Sequence, residues 1–176
     1  KSLHHEFGHT MIYVTHDQTE ALTFADKVVV MYDGRVVQMG TPQELFETPQ
    51  HTFVGYFIGS PGMNVLDATV TGDKAVIGGH EIDLGHGFAP LDGKVELGVR
   101  PEFTRLATGA AGLPVTIKRI EDVGRHKIVR ADFNGNEINV IAEEGAEISP
   151  DMNRIVFDPA GVNVYANSWR VAPQGA

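Results

Sequence analysis

The chain has 176 residues, with 14 Lys and Arg against 23 Asp and Glu, a formal net charge of −9, no cysteine and one tryptophan. The acidic balance argues against nonspecific nucleic-acid binding, which rests on a basic surface that neutralises phosphates, and the lack of cysteine excludes disulfides and thiolate-held zinc or iron–sulfur centres. With 42% hydrophobic and 21% charged residues, the composition is that of a globular protein able to bury roughly two-thirds of its unfolded surface, and no uncharged apolar run approaches the ~20 residues that span a bilayer.

Lys1 to Phe7 reads as the tail of a helix that Gly8 ends. The chain therefore opens inside an element and without an initiator Met, as expected of a piece of a longer protein. Met11 to Thr15 is a continuous apolar and β-branched run, the pattern of a strand buried on both faces. His16 stands at its end. Asp17-Gln18-Thr19-Glu20 has the form of a capping box and opens a short helix whose Ala21, Leu22 and Ala25 share a face. Lys27 to Tyr32 and Arg35 to Met39 are two strands of a hairpin around Asp33-Gly34, both tolerant of positive φ. Thr41-Pro42-Gln43-Glu44 starts another helix, running to about Glu47, with Thr as cap, Pro at the first helical position and Glu at the third. After Pro49, His51 to Ile58 carries Phe53, Val54, Phe57 and Ile58 at helical spacing, until Gly59-Ser60-Pro61-Gly62 breaks the pattern.

The texture then changes, and a domain boundary is expected between residues 1–59 and 60–176. The second part reads as short strands only: Val65 to Thr71, Lys74 to Ile77, Glu81 to Leu84, Val95 to Arg100, Val115 to Val123, Lys127 to Phe133, Glu137 to Ile141, Arg154 to Phe157 and Val162 to Ala166. Asn134-Gly135 and Gly72-Asp73 are predicted hairpin turns. Such spacing predicts a sandwich or small barrel. No internal repeat or low-complexity tract stands out.

Two patterns bear on chemistry. His5-Glu6-Phe7-Gly8-His9 matches the zinc-protease string H-E-x-x-H, which on a helix sets two imidazoles one turn apart with a glutamate beside the metal-bound water. Gly8 and the β-branched run after it oppose that helix, and no third ligand follows, so a polar helix end explains the string better and no metal site is expected. The second pattern is Val14-Thr15-His16-Asp17 at the carboxyl end of a buried strand and ahead of a capped helix, the place where ligands bind in α/β sheets. A neutral His there can donate or accept a hydrogen bond near a phosphate.

The run from Thr10 to Leu66, "TMIYVTHDQTEALTFADKVVVMYDGRVVQMGTPQELFETPQHTFVGYFIGSPGMNVL", closely resembles the end of the nucleotide-binding domain in ATP-binding-cassette (ABC) ATPases of the maltose-type carbohydrate importers. "LGVRPE", from Leu97 to Glu102, is similar to the "GIRPE" element of that family's carboxy-terminal regulatory domain, a transport-associated oligonucleotide-fold (TOBE) module. The resemblance implies an α+β chain: the remnant of an α/β nucleotide-binding domain over residues 1–59, then an all-β oligonucleotide-fold-like regulatory domain over 60–176.

By the same resemblance His16 falls on the family's switch histidine, which contacts the γ-phosphate and helps hold the attacking water. Asp17 is explained by its place as a helix cap. Arg100 and Glu102 mark the regulatory module and are candidate regulatory residues, although Pro101 after a strand is also an ordinary stop and an Arg–Glu pair an ordinary surface feature. The sequence has no G-x-x-x-x-G-K-[ST] phosphate loop, no LSGGQ-like string and no apolar run ending in Asp-Glu. ATP and Mg2+ are thus expected cofactors of a full-length protein, with none for this chain alone. The implied partners are transporter membrane subunits, a second copy of the protein and, indirectly, an extracytoplasmic solute-binding protein. The implied location is the cytoplasmic face of the inner membrane, and the implied cargo a sugar, polyol or sugar-phosphate-like solute. Nucleic acid is not an expected partner, since residues 60–176 carry 11 Lys and Arg against 16 Asp and Glu. Two other classes compete: a stand-alone, non-catalytic β module that binds a regulator or small ligand, and a zinc hydrolase. Without its upstream parallel neighbours, the segment Met11 to Thr15 is expected to be disordered, rearranged or paired with another chain.

Overall fold

A computed structural model of the chain describes residues 10–175. The helix tail Lys1 to Phe7, its Gly8 stop and the His5 to His9 string lie outside the described residues. Residues 11–15 are not a strand. Met11, Ile12, Tyr13 and Val14 are 69%, 91%, 70% and 89% exposed, because a strand that is apolar on both faces needs neighbours on both edges and cover on both faces.

Helix α1 (Gln18–Phe24) follows, capped by Asp17, whose carboxylate accepts from the Thr19 and Glu20 N–H groups. The cap is as expected, but the return arm of the capping box is not made. The Glu20 carboxylate instead accepts from the hydroxyls of Tyr13 and Thr15 at 3.1 and 3.0 Å. Strands β1 (Val28–Tyr32) and β2 (Arg35–Gly40) form the hairpin, with Asp33 and Gly34 at φ +48° and +71°. Helix α2 (Pro42–Glu47) has the complete capping box between Thr41 and Glu44. Helix α3 (Thr52–Phe57) is capped by His51, whose Nδ1 accepts from Phe53 N–H at 3.0 Å. Val28, Val30, Leu45, Val54 and Ile58 form a small core, against which Ala21 and Leu22 of α1 and its C-cap Ala25 pack.

The rest is β structure: β3 (Asn64–Asp67), β4 (Thr69–Ile77), β5 (His80–Phe88), β6 (Val95–Val99), β7 (Thr104–Ala107), β8 (Leu113–Pro114), β9 (Thr116–Asp122), β10 (His126–Phe133), β11 (Asn136–Glu143), β12 (Arg154–Phe157), β13 (Val162–Ala166) and β14 (Trp169–Val171). The strand orders are β14-β13-β6-β3, β11-β10-β9, β7-β12-β8 and the pair β4-β5, all with antiparallel pairing. Period-2 alternation fills one large core; on β5, Ile82 and Leu84 face in and Glu81 and Asp83 face out. Leu97, Val129, Ala131, Ile138 and Ile155 in that core have no solvent exposure.

Two predicted features change. The expected strand Val65 to Thr71 divides at Ala68, whose N–H goes to Val95 O at 3.0 Å, because the chain leaves β3, paired to β6, and enters β4, paired to β5. Gly72-Asp73 is not a turn but a register irregularity within β4, and the hairpin closes at Gly78-Gly79. Both of those glycines have positive φ, +53° and +84°, which suits a tight turn equally well. The short strands β7, β8 and β14 carry too little period-2 pattern to be read from sequence.

Candidate functional site

His16 sits in a bend immediately before α1, with its side chain exposed. The bend is held from both sides. Thr15 Oγ1 accepts from Asp17 N–H at 3.0 Å and donates to Glu20, while Asp17 Oδ1 accepts from Thr19 N–H at 2.8 Å. The Glu20 carboxylate, as bonding partner first and as a nearby charge second, raises the Tyr13 phenol above its ordinary value. These local bonds fix the backbone around His16 and leave its imidazole turned to solvent as a donor or acceptor. A single imidazole supplies one such contact, whereas phosphoryl transfer also needs a phosphate cradle and metal ligands. No group of three or more His, Asp or Glu suited to a metal ion occurs among the described residues.

The chain beyond His16 ties this bend to the rest of the molecule. Gln18 uses both ends of its amide on one residue: Gly59 N–H donates to Oε1 at 2.7 Å, and Nε2 donates to Gly59 O at 3.4 Å.

Arg100 is 3% exposed, so it is not the surface pair that its sequence context also allowed. Its Nε donates to Phe46 O at 2.7 Å and its Nη1 to Gly55 O at 3.2 Å and to Ile58 O. A longer contact at 3.5 Å runs from Nη2 to Leu45 O, and the guanidinium lies 4.0 Å from the centroid of the Phe46 ring. These carbonyls belong to the ends of α2 and α3, where the last turn leaves carbonyls without helical partners. Burial pulls the guanidinium below its ordinary value, opposed by the charge of Glu102 and by Tyr165. Glu102 itself is exposed, in the 3-10 turn Pro101–Phe103.

Three residues that sequence reasoning did not single out belong to this junction. Tyr165 of β13 has no solvent exposure and donates to Pro49 O at 2.9 Å. Asn64 is buried and pins β3 to β11: its Nδ2 donates to Asn139 O at 2.9 Å and its Oδ1 accepts from Asn139 N–H at 2.8 Å. Met63 lies over Gly98 of β6, where a Cβ would come within 2.6 Å of both Met63 Cε and Tyr165 Cε2. The only signal for Met63 and Asn64 was their place in the "FIGSPGMN" segment; for Tyr165 there was none. Beside the junction, Tyr32, His51, Thr52, Phe53, Tyr56, Val65, Asn167 and Ser168 line an open depression of about 390 Å³.

The described residues thus form an α+β chain, in which a small helix-and-hairpin unit is fastened to an oligonucleotide-fold type of β module. Residues 59–103 match the family model "MalK OB fold domain". The chain is 41% identical over 173 residues to "sn-glycerol-3-phosphate import ATP-binding protein UgpC 1" of Rhizobium johnstonii, covering 94% of this chain and 47% of the relative. It is 36% identical over 176 residues to "Sulfoquinovosyl glycerol transport ATP-binding protein SmoE" of Agrobacterium fabrum, covering 94% and 48%. To "sn-glycerol-3-phosphate import ATP-binding protein UgpC" of Vibrio vulnificus it is 39% identical over 137 residues, covering 77% and 37%. The chain belongs to the family of sugar-type ABC importer ATP-binding proteins and corresponds to their carboxy-terminal portion. It spans about half the length of the relatives it matches or less.

Proposed function

We propose that this chain is the carboxy-terminal part of the ATP-hydrolysing subunit of an ABC importer for a sugar, polyol or sugar-phosphate-like solute. The observation that carries this reading is similarity, at 41% and 36% identity across 94% of the chain, to proteins named as import or transport ATP-binding proteins for sn-glycerol-3-phosphate and sulfoquinovosyl glycerol. In this reading residues 1–59 end the nucleotide-binding domain and 60–176 form the regulatory β domain, a division supported by the two separate apolar cores. The full-length protein binds ATP with Mg2+, pairs with a second copy, and works against transporter membrane subunits at the cytoplasmic face of the inner membrane. A solute-binding protein contributes indirectly. No helix among the described residues is long and apolar enough to cross a membrane.

His16 is the residue assigned to the reaction. Its imidazole, exposed on a bend braced by Thr15, Asp17 and Glu20, donates a hydrogen bond to the γ-phosphate and orients the attacking water. Positioning and charge stabilisation dominate phosphoryl transfer, so one such contact governs turnover without governing the fold. Arg100 and Glu102 serve regulation through the junction, Arg100 by holding the ends of α2 and α3 against the β domain. The chain alone, lacking a phosphate loop, does not hydrolyse ATP.

The test is His16→Ala in the full-length protein with its membrane subunits. ATP turnover is expected to fall about 100-fold or more, with the unfolding midpoint unchanged. Near-normal turnover would remove His16 from the mechanism, and turnover by the 176-residue chain alone would overturn the claim that it is inactive.

A further inference from the structure

We propose that Gln18, Gly59 and Arg100 form a hydrogen-bonded relay through which the His16 bend and the β module are coupled, so that loosening either end loosens the other. Gln18 stands two residues after His16, in the first turn of α1. Its amide closes a two-bond ring on the backbone of Gly59, 41 residues away. The preceding carbonyl, Ile58 O, accepts from Arg100, as does Gly55 O at the other side of the same turn. Arg100 follows directly on β6, the strand that lies between β13 and β3 and carries the fully buried Leu97 and Val99. Segments distant in sequence therefore meet at the C-terminal end of α3.

Gly59 makes the meeting sterically possible. Its φ of +117° lies outside the range that L side chains favour, and a Cβ there would sit 2.9 Å from Arg100 Nη1. The same residue thus presents its N–H and carbonyl to Gln18 and an open flank to the guanidinium.

The energetics make the relay stiff. Among the described residues, the partners of the buried guanidinium are backbone carbonyls and the Phe46 ring, with no carboxylate in contact. A buried charge that loses such partners pays a desolvation penalty with no counter-ion nearby to replace them. Displacing the 55–59 segment, the end of α3 and the residues after it, from Arg100 is therefore costly, and Gln18 holds that same segment. Linkage makes the effect reciprocal: whatever Arg100 contributes to the Gln18–Gly59 contact, Gln18 contributes to the Arg100 seat. The coupling is a property of this chain, while its meaning for hydrolysis rests on the reading of His16 above.

The experiment is hydrogen exchange by NMR on the 15N-labelled chain, read at Arg100 Nε–H and at the Gly59 amide, in the parent, Gln18→Ala, Arg100→Lys and the double variant. Gln18→Ala is expected to speed exchange at Arg100 Nε–H about fivefold or more, the low end of ordinary coupling between sites. Arg100→Lys should speed Gly59 exchange by a similar factor, and at the Gly59 amide, the one probe left in every variant, the double variant should exchange more slowly than the product of the two single-variant effects. Unchanged Arg100 Nε–H exchange in Gln18→Ala would overturn the relay, and it decides alone if Arg100→Lys fails to fold. No nucleotide enters these measurements, so their failure is separate from any failure of the ATPase assignment.

Discussion

Residues 10–59 and 60–175 both contain paired antiparallel strands, yet those strands stand differently toward solvent. In the second region every strand pairs within the region, and the inward side chains share one core built from Leu66 to Val164. In the first, Val28 and Val30 of β1 are buried while Val29 and Met31 on its other face are 49% and 59% exposed. Their cross-strand partners on β2, Met39 and Val36, are 64% and 59% exposed. A hairpin that is apolar on both faces and covered on one presents a patch of the kind that marks an interaction surface. The β module buries its strands against one another, whereas the helix-and-hairpin unit is fastened to it through Arg100 and Tyr165.

Weakening each core in turn should separate the two regions most clearly. Ile138→Ala removes a fully buried side chain of the large core and is expected to cost about 2–5 kcal/mol, lowering the denaturant midpoint of the whole chain. Leu45→Ala removes an equally buried side chain from the small core, at a cost in the same range. Its effect should appear as faster amide exchange in α1 to α3, with β10 and β11 keeping their protection. Equal loss of protection in both regions would show one cooperative unit and erase the distinction.

A smaller effect probes the fastening. Tyr165→Phe leaves Pro49 O without its hydroxyl donor and should cost about 1–2 kcal/mol in chemical denaturation. An unchanged midpoint would mean that the hydroxyl contributes nothing to docking.

The smallest effect is one of pH. Burial lowers the proton affinity of His51 below its ordinary value of 6.5, with the charge of Glu96 opposing, and a proton on Nδ1 would end the bond from Phe53 N–H that caps α3. Because the folded chain binds fewer protons at this site than the unfolded chain, its contribution to stability is full above 6.5. It declines as the pH falls from there through the lower folded value. His51→Asn, which caps without titrating, should flatten the stability profile across that window, and an unaltered slope would assign the dependence elsewhere.

How much could be read in advance follows from the range of the forces involved. The Asp33-Gly34 and Asn134-Gly135 turns, the Thr41–Glu44 capping box and the Asp17 cap form between residues three or fewer apart, so the local string contains all their participants. The failures are equally specific. Met11 to Thr15 has strand chemistry without strand partners, Gly72-Asp73 has turn chemistry inside a longer ladder, and the Glu20 carboxylate accepts from Tyr13 and Thr15 instead of closing the capping box. His16 is a candidate by its place after a buried-strand pattern and by family resemblance, and the bend it occupies before a capped helix is a local feature.

The Asp33-Gly34 and Asn134-Gly135 turns, the Asp17 and Thr41 caps, the alternation that fills the β core and the family of the chain were legible in the amino-acid string, since each is carried by residues close together or by a long matching run. Folding alone makes Arg100 an internal clamp rather than a surface charge, with its partners 42 to 55 residues away. It alone brought Tyr165 to Pro49, across 116 residues, and Gln18 to Gly59. A backbone carbonyl carries no side-chain identity, so a side chain that binds distant carbonyls leaves no pattern in the sequence, and its role appears only once the chain has folded around it.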